Sequence, residues 1–529
     1  MQAQRHPHIK LCLLSSTCPA ADRGLPYTAA MDASTVFRRF SQEKWVCGLF
    51  ILVIGYFTIV HNFWVPQALF WDENYHIASA QKYLSGVFFM EPHPPLGKLV
   101  IALGEKLLNF NPVDTQFTTT DYATNPPAGF VFTGYRLFPV LLAWLTAPLL
   151  YGIFLLLTRK PLWAMFLSFL YVFDNAMLVH LRSAMLESTL LFFSVLTIFA
   201  FLLLWYAQQD RGRLLKASLL FGFAFACVMT TKLFGLVLIL LVPALLIRYR
   251  KQWRTFGRFC LWAGLAFFIT YVAIWQIHFS LGSRIVPELP DKGHYQASDT
   301  YISLIEQGRN HSLLGFPVMY IDSIAFVRHY QRGVPTLNFC KSDENGSPFF
   351  YWPFGARSIN YRWETDGRFY RYLYLQVNPV VWFAALAAVL LSFALLVGSL
   401  FFPLREEQRS PLLHWTFLAL YVGFMVAVSR IDRVMYLYHY FLPLLFSFLL
   451  LAIIVLEMRA VGKMRLRDEH KSYGLLAFAF LIFVSFQFYR PLTYYVPMSD
   501  AQVQRRALLP WWELHCVRCD AKNPVANPK

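Results

Sequence analysis

Two carboxylates stand side by side in Phe70-Trp71-Asp72-Glu73-Asn74-Tyr75-His76, directly after a long apolar run. Charge at a membrane exit is costly and marks a functional hypothesis by default, and a carboxylate held there is suited to taking a proton from a hydroxyl. A second polar knot follows at Glu91-Pro92-His93-Pro94-Pro95-Leu96-Gly97-Lys98. Further along lie Arg136, Asp174, Arg182, Glu187, Lys232, Arg430, Arg433 and His439, each beside an apolar segment. Any one of these cations alone reads as an anchor snorkelling from a helix end. Converging with two carboxylates on one membrane boundary, they read as a cleft for an anionic, membrane-embedded substrate. Locally, Asp72 is placed to cap a short helix from Glu73 to Leu84 that ends at Gly86, and capping is the plain alternative to a chemical role. His93-Pro94-Pro95 forces an extended turn, and Leu96 to Phe110 is amphipathic and too short to span, so it is expected in the interface.

The elements that must position these residues follow from composition. The chain of 529 residues is 57% hydrophobic and only 15% charged, well below the roughly 25% of soluble domains. Apolar blocks long enough to cross about 30 Å of hydrocarbon recur throughout, which predicts an all-α polytopic membrane protein. Eleven helices are expected, near 45–66, 133–157, 161–178, 186–207, 214–230, 233–248, 257–280, 378–402, 411–429, 434–457 and 474–490. The net charge of +17 does not point to nucleic acid. Its Lys and Arg residues fall mainly in every second short connection, the positive-inside pattern. The loops at 67–132 and 281–377, the turn at Lys232, the Ser429–Arg433 turn and the tail after 490 then face outward, together with all the polar residues above. The chain divides into a lead at 1–44, a membrane module at 45–280, an outer loop at 281–377, a four-helix module at 378–490 and a tail at 491–529.

Residues 1–30 fit nothing in this scheme; Leu11 to Ser15 is too short for a secretory signal, and Met31 opens an ordinary basic lead. Eight cysteines are too scattered for a disulfide scaffold. Cys516-Val517-Arg518-Cys519 after His515 has metal-like spacing but no second pair to complete a site.

Asp72-Glu73, the His93-Pro94-Pro95-Leu96-Gly97-Lys98 turn, Arg136-Leu137-Phe138, Phe173-Asp174-Asn175-Ala176 and Lys232 in a Thr-Lys-x-x-Gly setting together resemble the protein O-mannosyltransferases, of the GT-C class of polyprenyl-phosphate-sugar-dependent glycosyltransferases. The resemblance continues through Tyr351-Trp352-Pro353, Ile359-Asn360-Tyr361, Asn378-Pro379-Val380-Val381-Trp382 and Tyr438-His439-Tyr440-Phe441-Leu442-Pro443, covering roughly 45–497. The 281–377 loop is too short for the β-trefoil domain of the eukaryotic enzymes, so the chain is similar to the shorter bacterial form. The resemblance implies a multi-pass enzyme of the cell's inner membrane with its site on the extracytoplasmic face. It implies a dolichyl- or undecaprenyl-type phosphate sugar as donor, most simply mannose, and a hydroxyl on a protein, or on a lipid or envelope polymer, as acceptor. It makes Asp72 the general base of an inverting transfer, with Glu73 as a second catalytic carboxylate that shapes the acceptor site together with His93. Arg136 would hold the donor phosphate first, with Lys232 and Arg433 behind it, and His93, Asp174, Arg182, Glu187 and His439 would shape the site.

Two other classes fit parts of the pattern. A transporter or flippase should show internal repeats and broken mid-membrane helices, and neither is clear. A metal-dependent GT-C enzyme would use Asp72, Asp174 or Glu187 as hard oxygen ligands, and Asp72-Glu73 does not decide that question. No cofactor is otherwise implied.

Overall fold

The computed structural model describes residues 43–207, 210–341, 344–402 and 408–514. The expectations for residues 1–30 and for Cys516 and Cys519 lie outside the described residues. Among these, eight helices are long and apolar enough to cross a membrane, from Thr133–Thr158 to Asp468–Thr493. At about 1.5 Å per residue, the 26-residue Thr133–Thr158 helix rises roughly 39 Å, more than the hydrocarbon thickness. A ninth crossing is made if Pro161–Val172 and Asn175–Leu181, bent by 64°, count as one span. The two remaining expected spans are the shorter apolar helices Lys44–Val60 and Leu233–Arg248.

The bend has a local cause. Asp174 takes extended backbone, and its side chain accepts from the Met177 amide, so it caps a new helix and ends the old one. Its other oxygen accepts from Trp382 Nε1 at 2.8 Å, which ties the break to the Pro379–Phe401 helix. Leu233–Leu240 is a 3-10 segment that leads into Leu241–Arg248 and places Lys232 in extended backbone at its start.

The long loops between the spans carry their own core. Glu73–Leu84 is a helix with the bounds expected of it, and Leu96–Leu108 forms a second. The latter crosses the start of Thr133–Thr158 so closely that a Cβ on Gly104 would stand 2.3 Å from the Gly134 carbonyl oxygen. Ile77, Tyr83, Phe88, Ile101, Tyr301 and Met319 join both helices to Asp299–Glu306 and Phe316–Gly333 in one buried cluster. The chain is not entirely helical. Ile359–Thr365 pairs antiparallel with Tyr370–Leu375, in register from Ile359↔Leu375 to Thr365↔Tyr370 with a bulge between Asn360 and Arg362. This hairpin buries Ile359 and Tyr361 in the membrane module's core. A two-residue pair, Ala460–Val461 with Met464–Arg465, makes a second small hairpin.

Candidate functional site

Asp72 immediately precedes the Glu73–Leu84 helix, yet its side chain makes no capping bond. The carboxylate instead accepts from the Tyr438 hydroxyl at 3.1 Å, a partner 366 residues away. The preceding Trp71 holds a left-handed backbone, φ 51°, which costs energy for a bulky residue and persists where the surroundings fix it. Its indole stacks on Tyr361 at 5.0 Å and meets the edge of Tyr436 at 5.3 Å. Half-buried, Asp72 has its carboxyl pushed above the ordinary range by desolvation, with Lys232 and Tyr438 pulling the other way. A carboxylate so placed is a better proton acceptor than an exposed one. Exposed Tyr75 and Tyr330 lie near it, and Tyr75 meets the edge of exposed Tyr122 at 4.9 Å.

Glu73 and Arg136 do something else. Both are fully buried, and Arg136 grips Glu73 with Nε to Oε1 at 2.7 Å and Nη2 to Oε2 at 2.8 Å. Its remaining N–H groups donate to the carbonyls of Trp64, Pro66 and Ala68. Guanidinium has five N–H donors, and all five are engaged. No donor is left for a phosphate, so the expectation for Arg136 is corrected: it fastens the 64–68 loop to the Glu73–Leu84 helix. Glu73, which also accepts from the Ala184 amide at 2.9 Å, is its counter-ion and not a second reacting carboxylate.

Lys232 and Glu187 form a buried ion pair beneath Asp72. The other Glu187 oxygen meets His180 Nε2 at 2.7 Å, and His180 Nδ1 meets the Tyr361 hydroxyl at 2.6 Å. Lys232 also stands 5.6 Å over the Tyr438 ring. His439 stacks on Tyr438 at 4.6 Å and is fixed through Nδ1 to Tyr436. Lys232 opens into a cavity of about 500 Å³ lined by His93, Phe234, Arg332, Arg430 and Arg433 among others. Its lining side chains include four cations and one acid, Asp432. Half-buried Arg433 makes no ion pair or hydrogen bond with any described residue, so its fork is available. Burial and the nearby Lys232, Lys98, His76 and Arg433 hold His93 well below the usual imidazole range, so it lines the cavity as a neutral ring. Among the described residues, no group of three or more His, Cys, Asp or Glu side chains could hold a metal ion.

The structure thus gathers Asp72, His93, Glu187, Lys232, Arg433 and His439 around one centre. It leaves Asp174 as a helix cap and Arg182 as a brace, donating to the carbonyls of Ile59 and His61 and lying 4.5 Å over the Tyr494 ring. These two do not shape the site, because every strong contact they make is to backbone or to a structural aromatic. His180, Tyr361, Tyr438 and Arg332 belong to the centre and were not singled out as site residues from the sequence. The faint signal for His180 was an ionisable side chain in the otherwise apolar Met177–Leu181 run, seven residues before Glu187.

Residues 49–282 match the family profile described as dolichyl-phosphate-mannose-protein mannosyltransferase, and residues 334–512 match the C-terminal four-helix region of protein-O-mannosyltransferase. The chain is 30% identical over 200 residues to protein O-mannosyl-transferase 1 of Rattus norvegicus, an alignment covering 36% of this chain and 26% of that one. It is 28% identical over 214 residues to dolichyl-phosphate-mannose–protein mannosyltransferase 4 of Schizosaccharomyces pombe, covering 40% and 27% respectively. These alignments span about a quarter of the curated relatives' length. In fold, it superposes on a chain of the S. cerevisiae protein O-mannosyltransferase Pmt1-Pmt2 complex bound to the sugar donor. The TM-score is 0.73 at 15% identity, over 89% of this chain and 92% of that one.

Proposed function

Because the chain belongs to the dolichyl-phosphate-mannose-protein mannosyltransferase family, with the GT-C fold, we propose that it transfers mannose from a polyprenyl-phosphate donor to a Ser or Thr hydroxyl of a protein. The observation that carries this reading is the adjacency of a base and a cationic cavity. Asp72 has its carboxyl raised by burial and is held by Tyr438, and Lys232 joins it to a cavity bearing Arg332, Arg430 and Arg433.

In the proposed reaction the donor phosphate lies in that cavity, its tail in the bilayer. The acceptor reaches Asp72 from the Tyr75, Tyr122 and Tyr330 side. The acceptor oxygen attacks the anomeric carbon from the face opposite the phosphate, Asp72 takes the hydroxyl proton, and the bond from C1 to the phosphate oxygen breaks with its electron pair staying on the phosphate. Configuration at C1 inverts. A phosphodiester with one negative charge leaves as a monoester approaching two, so cations that face it bind the departing group better than the donor. That difference lowers the barrier. Arg433 offers an unengaged fork for this, and Lys232 retains donors beyond the one paired with Glu187. A positioned base contributes ~10² to 10⁴ in rate. The loops expected to face outward carry Asp72, Lys232, Arg332, Arg430 and Arg433, which supports an extracytoplasmic site.

Purified protein given a synthetic polyprenyl-phosphate-mannose and a Ser/Thr-rich peptide should yield an α-linked mannosyl peptide from a β-linked donor. Transfer to lipid or polymer hydroxyls but not to any peptide would move the acceptor class. No transfer from any polyprenyl-phosphate sugar would remove the reading.

A further inference from the structure

We infer that His180 is a positioning residue, which aims the Tyr438 hydroxyl at Asp72 without touching either substrate; the inference rests on Asp72 being the base. Both ring nitrogens of His180 are fixed, Nδ1 at 2.6 Å from the Tyr361 hydroxyl and Nε2 at 2.7 Å from Glu187. The imidazole is fully buried and lies nearly parallel to the Tyr438 ring, centroids 4.6 Å apart at 23°. Tyr438 in turn donates to Asp72. A second route reaches the same carboxylate, since Tyr361 stacks on Trp71, the residue before the base. His180 therefore supports Asp72 through its hydrogen-bond donor and through its backbone neighbour. The support comes from the Asn175–Leu181 helix, which exists because Asp174 breaks the span and caps a new one.

The ionisable groups that face Asp72 are Lys232, Glu187, His180 and Tyr438, with the phenols of Tyr75, Tyr330, Tyr361 and Tyr436 around them. Among the described residues, Tyr438 is the one that hydrogen-bonds to the side chain of Asp72. A hydrogen bond given to a carboxylate favours its charged form, so losing the bond makes Asp72 harder to ionise. Tyr438→Phe should move the acid limb of kcat to higher pH by about one unit. His180→Phe keeps a stacked ring but releases both anchors. It should move the limb in the same direction, and the double variant should move it by less than the sum of the two single shifts, because both act in part through the Tyr438 contact.

The test is the pH profile of single-turnover transfer for wild type, the two single variants and the double, with the donor KM measured alongside. A shifted acid limb, a kcat loss exceeding any KM change, and non-additivity together support the inference. An unmoved limb, or independent and additive shifts, overturns it. Should His180→Phe fail to insert, Tyr361→Phe removes only the hydroxyl that holds Nδ1; a smaller shift of the same sign supports the inference, and no shift overturns it. Asp72→Asn separates the two levels. If that variant keeps transfer, the base assignment itself falls. If it is inactive while the His180→Phe limb stays put, only the positioning role falls.

Discussion

Replacing Arg136 by alanine should loosen the segment that carries Asp72, with loss of donor affinity only as a consequence. The guanidinium lies at 0% exposure, paired twice with a carboxylate also at 0% and bonded to three backbone carbonyls. Breaking a buried pair by removing one partner costs about 3–5 kcal/mol, because the other charge is left in a medium that cannot solvate it. Three carbonyls are orphaned as well, though these losses overlap with the first and do not simply add. At about 1.4 kcal/mol per decade, the Glu73–Leu84 amides should exchange with solvent roughly two to three and a half decades faster. Hydrogen exchange on detergent-purified protein, read by mass spectrometry over 61–84, measures this directly. Arg136→Met combined with Glu73→Leu removes both charges and should recover part of the protection, as replacing a whole buried pair often does. The reasoning is refuted if Arg136→Ala exchanges like wild type over 61–84 yet binds donor at least tenfold more weakly. Arg136 would then face the phosphate.

Other expectations follow from the same geometry. Arg433→Ala should weaken donor binding by one to two decades, since a hydrogen bond to a charged group is worth about 1.5–3 kcal/mol; unchanged affinity by titration calorimetry would take the phosphate elsewhere in the cavity. Burial raises the Asp72 carboxyl above its ordinary 3.8, so the folded chain holds this proton more tightly than the unfolded one. Its contribution to stability therefore falls as pH rises from 3.8 through the folded value, and Asp72→Asn should be no less heat-stable than wild type at neutral pH. Asp174→Asn keeps the acceptor for Met177 and should retain most transfer, whereas Asp174→Ala should lose about 1 kcal/mol or more of helix capping, read as a lower melting temperature. Exposed Cys340, in the loop expected outside, should react in intact cells with an impermeant maleimide, and labelling only after lysis would invert the topology.

Hydropathy made the apolar segments legible, because burial in lipid selects long runs whatever their neighbours. The Glu73–Leu84 helix was equally legible, its bounds set by the residues beside it. Asp72 shows where that reasoning stops. From the sequence it is placed either to cap the helix or to do chemistry; in the structure it turns to Tyr438, and nothing within a few residues encodes a partner 366 positions away. Arg136 misled for the opposite reason: a cation near a helix start looks the same whether it faces solvent, phosphate or a buried carboxylate. The Ile359–Leu375 hairpin was within reach, since Ile359-Asn360-Tyr361-Arg362-Trp363 alternates and Asp366-Gly367 sits at the turn. It was absorbed into an outer loop because the surrounding helical pattern dominated. His180 went unnoticed because it lay in a stretch read as the end of a span and a turn.

The central claim is that Asp72 accepts the proton while the cationic cavity holds the donor. Single-turnover mannosyl transfer by Asp72→Asn, with donor binding measured on the same protein and repeated with EDTA, tests both halves at once. The account predicts transfer reduced by at least two decades, donor affinity within a few-fold of wild type, and no effect of chelation. Near-normal transfer by a properly inserted Asp72→Asn protein would contradict it and leave Asp72 as a structural partner of Tyr438.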